Sequence, residues 1–442
     1  MRSYSLQSGS SERIMSALPE EAPADTGEQR LSPAILEILP GQDETSREKW
    51  LFSPVFVRLL ATNAAFGFSV STFYLLPKHL AVSFAASPAQ IGLVTGIFSL
   101  AALFSVPFLG LIVERLGHRR ASIAGYLLMA ACAFAFALVN GIGPGLWTLR
   151  VLQGLAASIV FAASVALVSA VAPPDKLGQA MGLSGAASLA MSAVAPAIAE
   201  SLGASYGFGY AFALAGVAAL LGAMASRGLP KLEMAFGPHA RSLLAIPGPD
   251  IRAVLAALAV TGAGFNVVMA FLAPFALRHG IQAVRGFFIS YTVAALTIRV
   301  LGGGLTDRLG LRRTARLGIT LYGIVIAGIG LAGPAHMVSL GFVFGLAHGA
   351  LFPALMALLF KDVEPRDRTW LAGLSNGVLQ LGMLSVSLFG ALANHTGFEL
   401  VFILVGALVA AASVLLMTAA LRRLAALGRG RSLSTEMLFP PR

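Results

Sequence analysis

The sequence predicts an all-α membrane protein of twelve transmembrane helices arranged in two six-helix halves, and three observations lead to this fold class. Of the 442 residues, 57% are hydrophobic and 12% are charged, whereas about 25% of the residues of a soluble globular protein are charged. Twelve apolar runs are long enough to cross a bilayer, which takes about 20 residues each. A charged turn also occurs twice, 193 residues apart, as expected of an internally duplicated membrane protein.

The apolar runs follow one another with short turns between them. Turn residues such as Ser87-Pro88 and Gly143-Pro144 separate neighbouring runs. The longest break, at 227–250, divides six runs from six, so we expect one half at 54–226 and the other at 251–424. The runs cover 54–78, 89–113, 118–140, 145–172, 177–203, 206–226, 251–277, 285–306, 314–333, 337–360, 370–394 and 398–421.

Both ends of the chain lie outside the predicted bundle. Residues 1–53 contain nine acidic and five basic residues and no sustained apolar run, which is typical of a disordered tail rather than of a signal peptide. Both Met1 and Met15 could start the chain. Residues 425–442 form a second tail, and we expect both tails and the loop at 227–250 to be cytoplasmic.

The basic residues are distributed unevenly between the two sides of the membrane. With the N-terminus inside, the inner loops and tails hold 26 lysines and arginines, and the outer loops hold only Lys78, Arg278 and Arg285. Cytoplasmic loops carry an excess of Lys and Arg, so both termini are predicted to be cytoplasmic in a multi-pass protein of the cell (inner) membrane. This alternation differs from the continuous basic surface that a nucleic-acid partner requires.

The repeated turn has the same residue types at the same spacing in both copies. Each copy has a glycine, an acid four residues later, an arginine, a second glycine and an arginine pair. The first copy comprises Gly110, Glu114, Arg115, Gly117, Arg119 and Arg120, and the second comprises Gly303, Asp307, Arg308, Gly310, Arg312 and Arg313. The pattern resembles the loops between helices 2 and 3 and between helices 8 and 9 of the major facilitator superfamily. The resemblance implies a gating role, with each acid beside the positive N-terminal end of the next helix.

Polar side chains at membrane depth are costly and therefore mark candidate sites. Spans 3, 6, 9 and 12 have no charged residue in their interiors, and the superfamily fold implies that these four face lipid. The candidates for the substrate cavity and for coupling lie in the other spans and are Asn63, Arg150, Gln153, Glu200, Asn266, Arg299, His348, Asn376 and Gln380. Each side chain could either line the cavity or bond a neighbouring helix.

Arg150, Gln153 and Gly154 form a pattern in span 4 that is similar to a superfamily motif frequent among bacterial proton-coupled exporters. The resemblance implies a role in proton coupling, and the alternatives for Arg150 are an outward-pointing side chain or a fixed contact between helices. Glu200, the only acid inside a predicted span, lies near the outer end of span 5 within expected reach of Arg150. His348 lies near the midplane, where the unperturbed histidine pKa of about 6.5 would let it sense protons. Any proton linkage is expected to run through Arg150, Glu200 and His348.

The span 5 motif of drug–proton antiporters is degraded, since only Pro196 remains of it. No acid lies in the middle of a span, although exporters of cationic drugs commonly use one. Both departures weaken the assignment to drug–proton antiport, but transport itself remains the predicted function.

These patterns predict a secondary transporter of a small organic solute that works by alternating access, with proton-coupled export. The alternatives are proton-independent uptake or facilitated diffusion of a neutral or anionic metabolite, lipid or lysolipid flipping, and a non-transporting sensor or scaffold. The sequence has no nucleotide-binding P-loop and no HExxH, GxSxG or CxxC pattern, so we expect neither an ATP-driven pump nor an enzyme. We expect a monomer without cofactor or metal, whose partners are the solute, protons and the lipid bilayer.

Overall fold

The computed structural model describes residues 53–173, 176–231, 248–301, 309–361, 363 and 365–436. Within these ranges the chain forms twelve helical segments, at the positions that the sequence predicts for the spans. They are α1 (Pro54–Phe84), α2 (Pro88–Leu116), α3 (His118–Phe136), α4 (Pro144–Val171), α5 (Leu177–Ser205), α6 (Phe208–Ser226), α7 (Pro249–Arg278), α8 (Arg285–Leu301), α9 (Leu311–Ala332), α10 (Met337–Phe360), α11 (Pro365–Leu384, with a second part at 386–396) and α12 (398–436). The all-α fold class is confirmed.

Serine and proline residues set the starts of several helices. Helices α1, α2, α4 and α7 have a proline in their first positions, where the missing backbone N–H is not needed. Ser53 Oγ accepts a hydrogen bond from the backbone N–H of Phe56 at the start of α1. At the start of α2, Ser87 and Gln90 form a reciprocal capping box. These caps satisfy N–H groups that have no partner within the helix.

Helix α1 is interrupted near its end. A 3-10 turn, Phe73–Leu75, separates Pro54–Thr72 from Leu76–Phe84, and it lies just before Pro77, which has no backbone N–H to donate. The helix continues beyond residue 78, where the apolar run ends. Lys78 therefore lies within a helix, and the prediction that it belongs to an outer loop is wrong.

Glycine turns show the internal duplication in the backbone. Gly117 joins α2 to α3 with φ 75° and ψ 146°, and Gly310 precedes α9 with φ 79° and ψ 146°. A second pair, Gly207 (φ 97°) and Gly397 (φ 85°), precedes α6 and α12. Because glycine adopts such positive φ values without a steric penalty, the glycines of the repeated pattern produce the same turn twice.

The two ends of the bundle can be told apart by their turns. The motif side is the end that contains Gly117 and Gly310. The opposite side is the end that contains Ala85, between α1 and α2, and Gly280, between α7 and α8. Ala85 (φ 48°) and Gly280 (φ 76°) are both left-handed, so this pair of turns also corresponds between the halves.

Small residues let the peripheral helices pack closely in pairs. Helix α3 packs against α6, and α9 packs against α12. A Cβ atom added to Gly323 in α9 would lie 2.4 Å from the backbone nitrogen of Ala410 in α12, and one added to Gly406 would lie 2.4 Å from that of Ala327. Close approach through small residues is typical of helix packing in lipid. These are the four helices whose sequences have uncharged interiors.

The halves meet along two helix pairs, α2 with α11 and α5 with α8. Towards the opposite side, a Cβ atom added to Gly92 in α2 would lie 2.9 Å from the Cα atom of Gly390 in α11. Ser387 Oγ donates a hydrogen bond to the carbonyl oxygen of Gly92 over 3.2 Å. The backbones of the two halves are therefore in direct contact at this end.

Nine stretches of the described residues are long and apolar enough to cross a membrane. The last stretch, Leu371–Met417, covers parts of both α11 and α12, so the nine stretches include ten of the twelve helices. Helix α3 begins with His118, Arg119 and Arg120, which lower its mean hydropathy. The described part of α8 has 17 residues.

Candidate functional site

Near the opposite side, a buried ion pair of the first half is also hydrogen-bonded to the second half. Nζ of Lys78 in α1 lies 2.5 Å from Oε1 of Glu200 in α5, and both side chains are less than a tenth exposed. Glu200 also accepts hydrogen bonds from the backbone N–H groups of Val284 (3.0 Å) and Arg285 (2.8 Å), and Lys78 donates to the carbonyl oxygen of Gln282. We call Lys78, Glu200 and residues 282–285 the latch.

The latch surrounds the carboxylate of Glu200 with hydrogen-bond donors from both halves. The first backbone N–H groups of a helix have no partner within the helix, and the helix dipole is positive at that end. Glu200 supplies the missing acceptor for α8, while Lys78 supplies a counter-charge. Separation of the halves at this end would break several charge-assisted hydrogen bonds at once. The latch and the contact between Gly92 and Gly390 therefore hold the opposite side closed.

The expected pairing of Arg150 with Glu200 is wrong. Glu200 bonds Lys78 and the start of α8, whereas Arg150 bonds residues of α2 and α4. Sequence reasoning missed Lys78 because it lies at the end of an apolar run, where a basic residue is ordinarily a solvated loop charge. The available signal is Pro77, which places Lys78 after a break in α1.

Arg150 is 5% exposed, and its hydrogen bonds in the described part of the chain go to neutral groups. Its Nε donates to the carbonyl oxygen of Val94 (3.0 Å) and its Nη2 to that of Thr95 (3.4 Å), both in α2. Its Nη1 donates to Oε1 of Gln153 over 2.5 Å. The guanidinium carbon lies 4.8 Å from the ring centroid of Phe98. Arg150 and Gln153 thus form a fixed contact between α4 and α2.

Two of the three predicted asparagines, Asn63 and Asn266, are buried in corresponding helices, α1 and α7. Asn63 Nδ2 donates to the carbonyl oxygen of Leu59 (2.9 Å), and Ser164 Oγ of α4 donates to Asn63 Oδ1 (2.8 Å). Asn266 Nδ2 donates to the carbonyl oxygen of Met383 in α11 (2.7 Å). In this conformation both amides stabilise contacts between helices of the same half.

Aromatic rings from four helices surround His348 near the middle of α10. The ring centroids of Phe265 in α7 and Tyr322 in α9 lie 5.2 and 5.6 Å from that of the imidazole, in stacked orientations. Those of Tyr291 in α8 and Phe344 in α10 lie 5.9 and 6.2 Å away. Tyr291 Oη lies 3.1 Å from Nδ1 of His348. The imidazole is therefore oriented by a side chain rather than by a backbone group.

Tyr74 of α1 extends this cluster across the boundary between the halves. Its ring centroid lies 6.2 Å from that of Phe265 and 6.0 Å from that of Phe288 in α8. Tyr74, Phe265 and His348 are each partly exposed, whereas Phe288 and Tyr291 are 1% exposed. We call the row of partly exposed rings formed by Tyr74, Phe265 and His348 the aromatic platform.

Sequence reasoning did not identify the aromatic members of this cluster. Aromatic side chains count as apolar in a membrane-spanning run, so Tyr74, Tyr291 and Tyr322 are indistinguishable there from residues that face lipid. The signal that could have found them is their hydroxyl group, since a tyrosine in the middle of a span requires a polar neighbour.

Three further predicted residues are partly exposed within their helices. Arg299 lies two turns after Tyr291 on α8 and is close enough to His348 for an electrostatic interaction. Its Nε has no hydrogen-bond partner among the described residues. Oε1 of Gln380 on α11 is likewise buried without a partner in the described part of the chain, and Asn376 lies one turn before it. Arg299 and Gln380 therefore each retain an unused donor or acceptor among the described residues, whereas Arg150 is hydrogen-bonded at Nε, Nη1 and Nη2.

The repeated gating pattern is described in part. Gly117 and Gly310 form the turns given above, and Gly110 and Glu114 lie within α2. Nη2 of Arg312 lies 3.7 Å from Oδ2 of Asp250 at the start of α7. Arg115, Arg120 and Arg313 are exposed and Arg119 is partly exposed. The remaining members of the pattern, Gly303, Asp307 and Arg308, lie outside the described residues.

The described groups are suited to binding, to gating and to proton exchange. The latch contains an ion pair that can be made or broken, the platform offers aromatic faces, and Arg299 offers a positive charge. Among the described residues, no group of three or more His, Cys, Asp or Glu side chains could hold a metal ion.

Comparisons with known proteins agree with this architecture. A sequence profile described as Major Facilitator Superfamily matches residues 59–335 and 254–436. The structure is similar to that of the peptide transporter POT in complex with sulfate, with a TM-score of 0.70 and 15% identity over 88% of this chain and 98% of that chain. It is also similar to the nucleoside transporter NupG, with a TM-score of 0.67 and 13% identity over 83% and 99% of the two chains.

A third similar structure is the xylose transporter XylE from E. coli in a partially occluded inward open conformation. Its TM-score is 0.68, with 14% identity over 84% of this chain and 99% of that chain. At such identities the structural likeness shows the fold, while the sequence profile covers most of the chain. The chain belongs to the Major Facilitator Superfamily, and it is a multi-pass membrane transporter rather than an enzyme.

Proposed function

We propose that the chain moves a small organic solute across the cell (inner) membrane, as a monomer, and that the latch is the gate of one side. The observation that carries this proposal is the bonding of Glu200 to Lys78 of its own half and to the start of α8 in the other half. Alternating access requires that one end of the bundle opens while the other end closes. The hydrogen bonds that join the halves within the described residues lie at one end, and such an arrangement is suited to that task.

We place the motif side in the cytoplasm and the latch on the outer side. The excess of Lys and Arg in the loops of the motif side supports this orientation, as do the exposed side chains of Arg115, Arg120 and Arg313. Both tails, at 1–53 and 425–442, and the loop at 227–250 between the halves are then cytoplasmic. On this assignment the latch closes the outer side of the transporter.

We propose export coupled to protons, with Glu200 as the proton-exchanging group. Outer opening would separate Glu200 from the start of α8, and would bring its carboxylate to the outer water. A protonated Glu200 accepts the hydrogen bonds of the Val284 and Arg285 N–H groups less strongly than a charged one, so protonation and outer opening would favour each other. His348, at the middle of α10, is the candidate to carry charge further inward. Arg150 is not part of this proton route, because it is hydrogen-bonded to neutral groups of α2 and α4.

Proton-independent uptake or facilitated diffusion of an anionic metabolite is the second candidate function. The observation that favours it is the charge of Arg299, which has no acidic partner among the described residues. No described contact favours lipid flipping or a sensor role over solute transport.

A reconstituted-liposome flux assay with a panel of labelled solutes tests the proposal. In Glu200→Gln, we expect flux driven by an imposed pH gradient to collapse while solute exchange without a gradient persists. Glu399→Gln is the matched control, because Glu399 at the start of α12 is also an acid of the opposite side but is 48% exposed and lies 3.7 Å from His279.

The outcomes of this assay separate the candidate functions. Full gradient-driven flux in Glu200→Gln would reject proton coupling through the latch and favour the facilitator. If the wild-type protein moved no solute of the panel under any gradient or in exchange, solute transport itself would be rejected.

A further inference from the structure

The aromatic platform lies at the depth where the substrate sites of such transporters are found. Phe265 is 16 residues from the start of α7, and His348 is 11 residues from the start of α10, which correspond to about 24 Å and about 16 Å along the two helices. Both positions are near the middle of their helices. Substrate sites in duplicated transporters lie near the bilayer midplane between the repeats, and Tyr74 brings the platform to that boundary.

Buried side chains of neighbouring helices contact the His348 ring of the platform. Tyr291 bonds Nδ1 of His348, and the ring of Tyr322, which is 0% exposed, is stacked on the imidazole. Oη of Tyr322 is buried without a hydrogen-bond partner among the described residues. Partly exposed aromatic rings in a fixed arrangement favour contact with a planar ring, which loses little conformational freedom on binding.

The electrostatic surroundings of the platform favour an anion. Arg299 is close enough to interact with both Tyr291 and His348, and its Nε is buried without a partner in the described part of the chain. None of the ion pairs among the described residues includes Arg299. A positive charge at membrane depth is costly unless something compensates it, so a bound anion would relieve that cost.

We propose that the platform and Arg299 form the binding site for a planar aromatic anion, with its ring against Tyr74 and Phe265 and its negative group towards Arg299. This inference rests on the proposed transport function and adds the chemical class of the solute. An aliphatic anion of the same size would lack the stacking, and an aromatic cation would be repelled by Arg299.

Three probes of nearly equal size separate the two contributions. Benzenesulfonate has both the planar ring and a permanent charge, cyclohexanesulfonate has only the charge, and benzenesulfonamide is planar but neutral. Calorimetric titration of the full-length protein in detergent is expected to show benzenesulfonate binding at least about tenfold more tightly than either of the others. Equal binding of all three probes, or no binding of benzenesulfonate, would overturn the proposal.

Variants of the site test its residues individually. We expect Arg299→Gln to weaken benzenesulfonate binding about tenfold and to leave benzenesulfonamide unchanged, while Phe265→Leu weakens both aromatic probes. Arg299→Lys keeps the charge and should retain most of the binding, which separates a lost contact from a misfolded protein. Arg252→Gln, at an exposed arginine in the first turn of α7, is the matched control and should bind like the wild type. Wild-type affinity in Arg299→Gln would overturn the assignment of the anion to this residue.

Flux measurements distinguish failure of this inference from failure of the proposed function. Transport of other solutes without benzenesulfonate binding would reject the aromatic anion and keep the transporter. Benzenesulfonate binding that responds to Arg299→Gln, with no flux of any solute in liposomes, would keep the site and reject transport.

Discussion

Arg150 of the first half and Arg299 of the second half both lie in predicted spans, and their surroundings differ. Arg150 donates to two carbonyl groups and to Gln153, and it lies over the ring of Phe98. Arg299 is partly exposed and has an unused Nε among the described residues. The backbone turns, by contrast, correspond closely between the halves. The halves thus share their backbone turns, while these two arginines lie on helices that do not correspond, α4 and α8, and differ in their contacts.

The two ends of the bundle show a second difference. On the opposite side, the latch joins the first half to the second. On the motif side, the ion pair between Arg312 and Asp250 joins α9 to α7 within one half. Contacts that cross between the halves are the ones that must break when a side opens, so the latch is the contact whose removal should change the conformation.

The largest expected effects on stability concern the close helix contacts at glycines, which occur in both halves. A Cβ atom at Gly67 in α1 would lie 2.3 Å from the carbonyl oxygen of Ser188, and one at Gly382 in α11 would lie 1.9 Å from that of Ala259. Alanine at either position should therefore lower the free energy of unfolding in detergent by about 2–3 kcal/mol, because backbone must move. Gly182→Ala, where nothing lies within 4 Å, is the control. A loss of stability at only one of the two glycines would contradict the correspondence between the halves.

Replacement of Arg150 and of Arg299 should change the free energy of unfolding by different amounts. Arg150→Met removes the donors to α2 and leaves Oε1 of Gln153 buried without its partner, so we expect a loss of about 1–3 kcal/mol. Arg299→Met removes a charge that has no acidic partner among the described residues, so its cost should be below about 1 kcal/mol. Denaturant unfolding of both variants in the same detergent measures the difference. Equal losses would mean that Arg299 is also a structural residue.

The gating pattern should affect the rate of transport more than the affinity. Asp307→Asn keeps the size of the side chain and removes the charge that the pattern places beside the next helix. We expect transport to slow several-fold while the equilibrium affinity for the solute changes by less than about threefold, or about 0.7 kcal/mol, because this turn is far from the midplane. Flux and equilibrium binding, measured on one preparation, check both quantities. Lost binding with an unchanged rate of exchange would place Asp307 in the binding site instead.

The helices and their turns could be predicted from the sequence, because apolar runs, prolines and glycines act locally. Gly117 and Gly310 are an example, since their spacing alone indicated a repeated turn. The latch could not be predicted in the same way. It depends on the approach of α5 to the start of α8, which brings Glu200 to backbone groups 84 and 85 residues away, and no local pattern contains that information.

The candidate polar residues of the membrane interior were predicted as a set, but their partners were not. Asn63 and Asn266 bond neighbouring helices, and Arg150 bonds α2 rather than Glu200. Hydrogen bonding across helices depends on the rotation of each helix about its axis. That rotation is decided by packing of small residues such as Gly154, whose added Cβ atom would lie 2.4 Å from the carbonyl oxygen of Phe98.

A distance measurement across the latch tests most directly whether it holds one side of the transporter closed. Spin labels at Ser83→Cys, near the end of α1, and Ala283→Cys, just before α8, would report on the opposite side by double electron–electron resonance. Labels at Arg120→Cys and Arg313→Cys would report on the motif side. Cys132, the buried free cysteine, would be replaced by alanine in both proteins.

In the otherwise wild-type protein we expect a short, narrow distance distribution between the labels at 83 and 283. Glu200→Gln should add a longer population there, because the carboxylate no longer holds Lys78 and the start of α8, and it should shorten the distance between the labels at 120 and 313. An unchanged distribution on both sides in Glu200→Gln would contradict the role of the latch as the gate of alternating access.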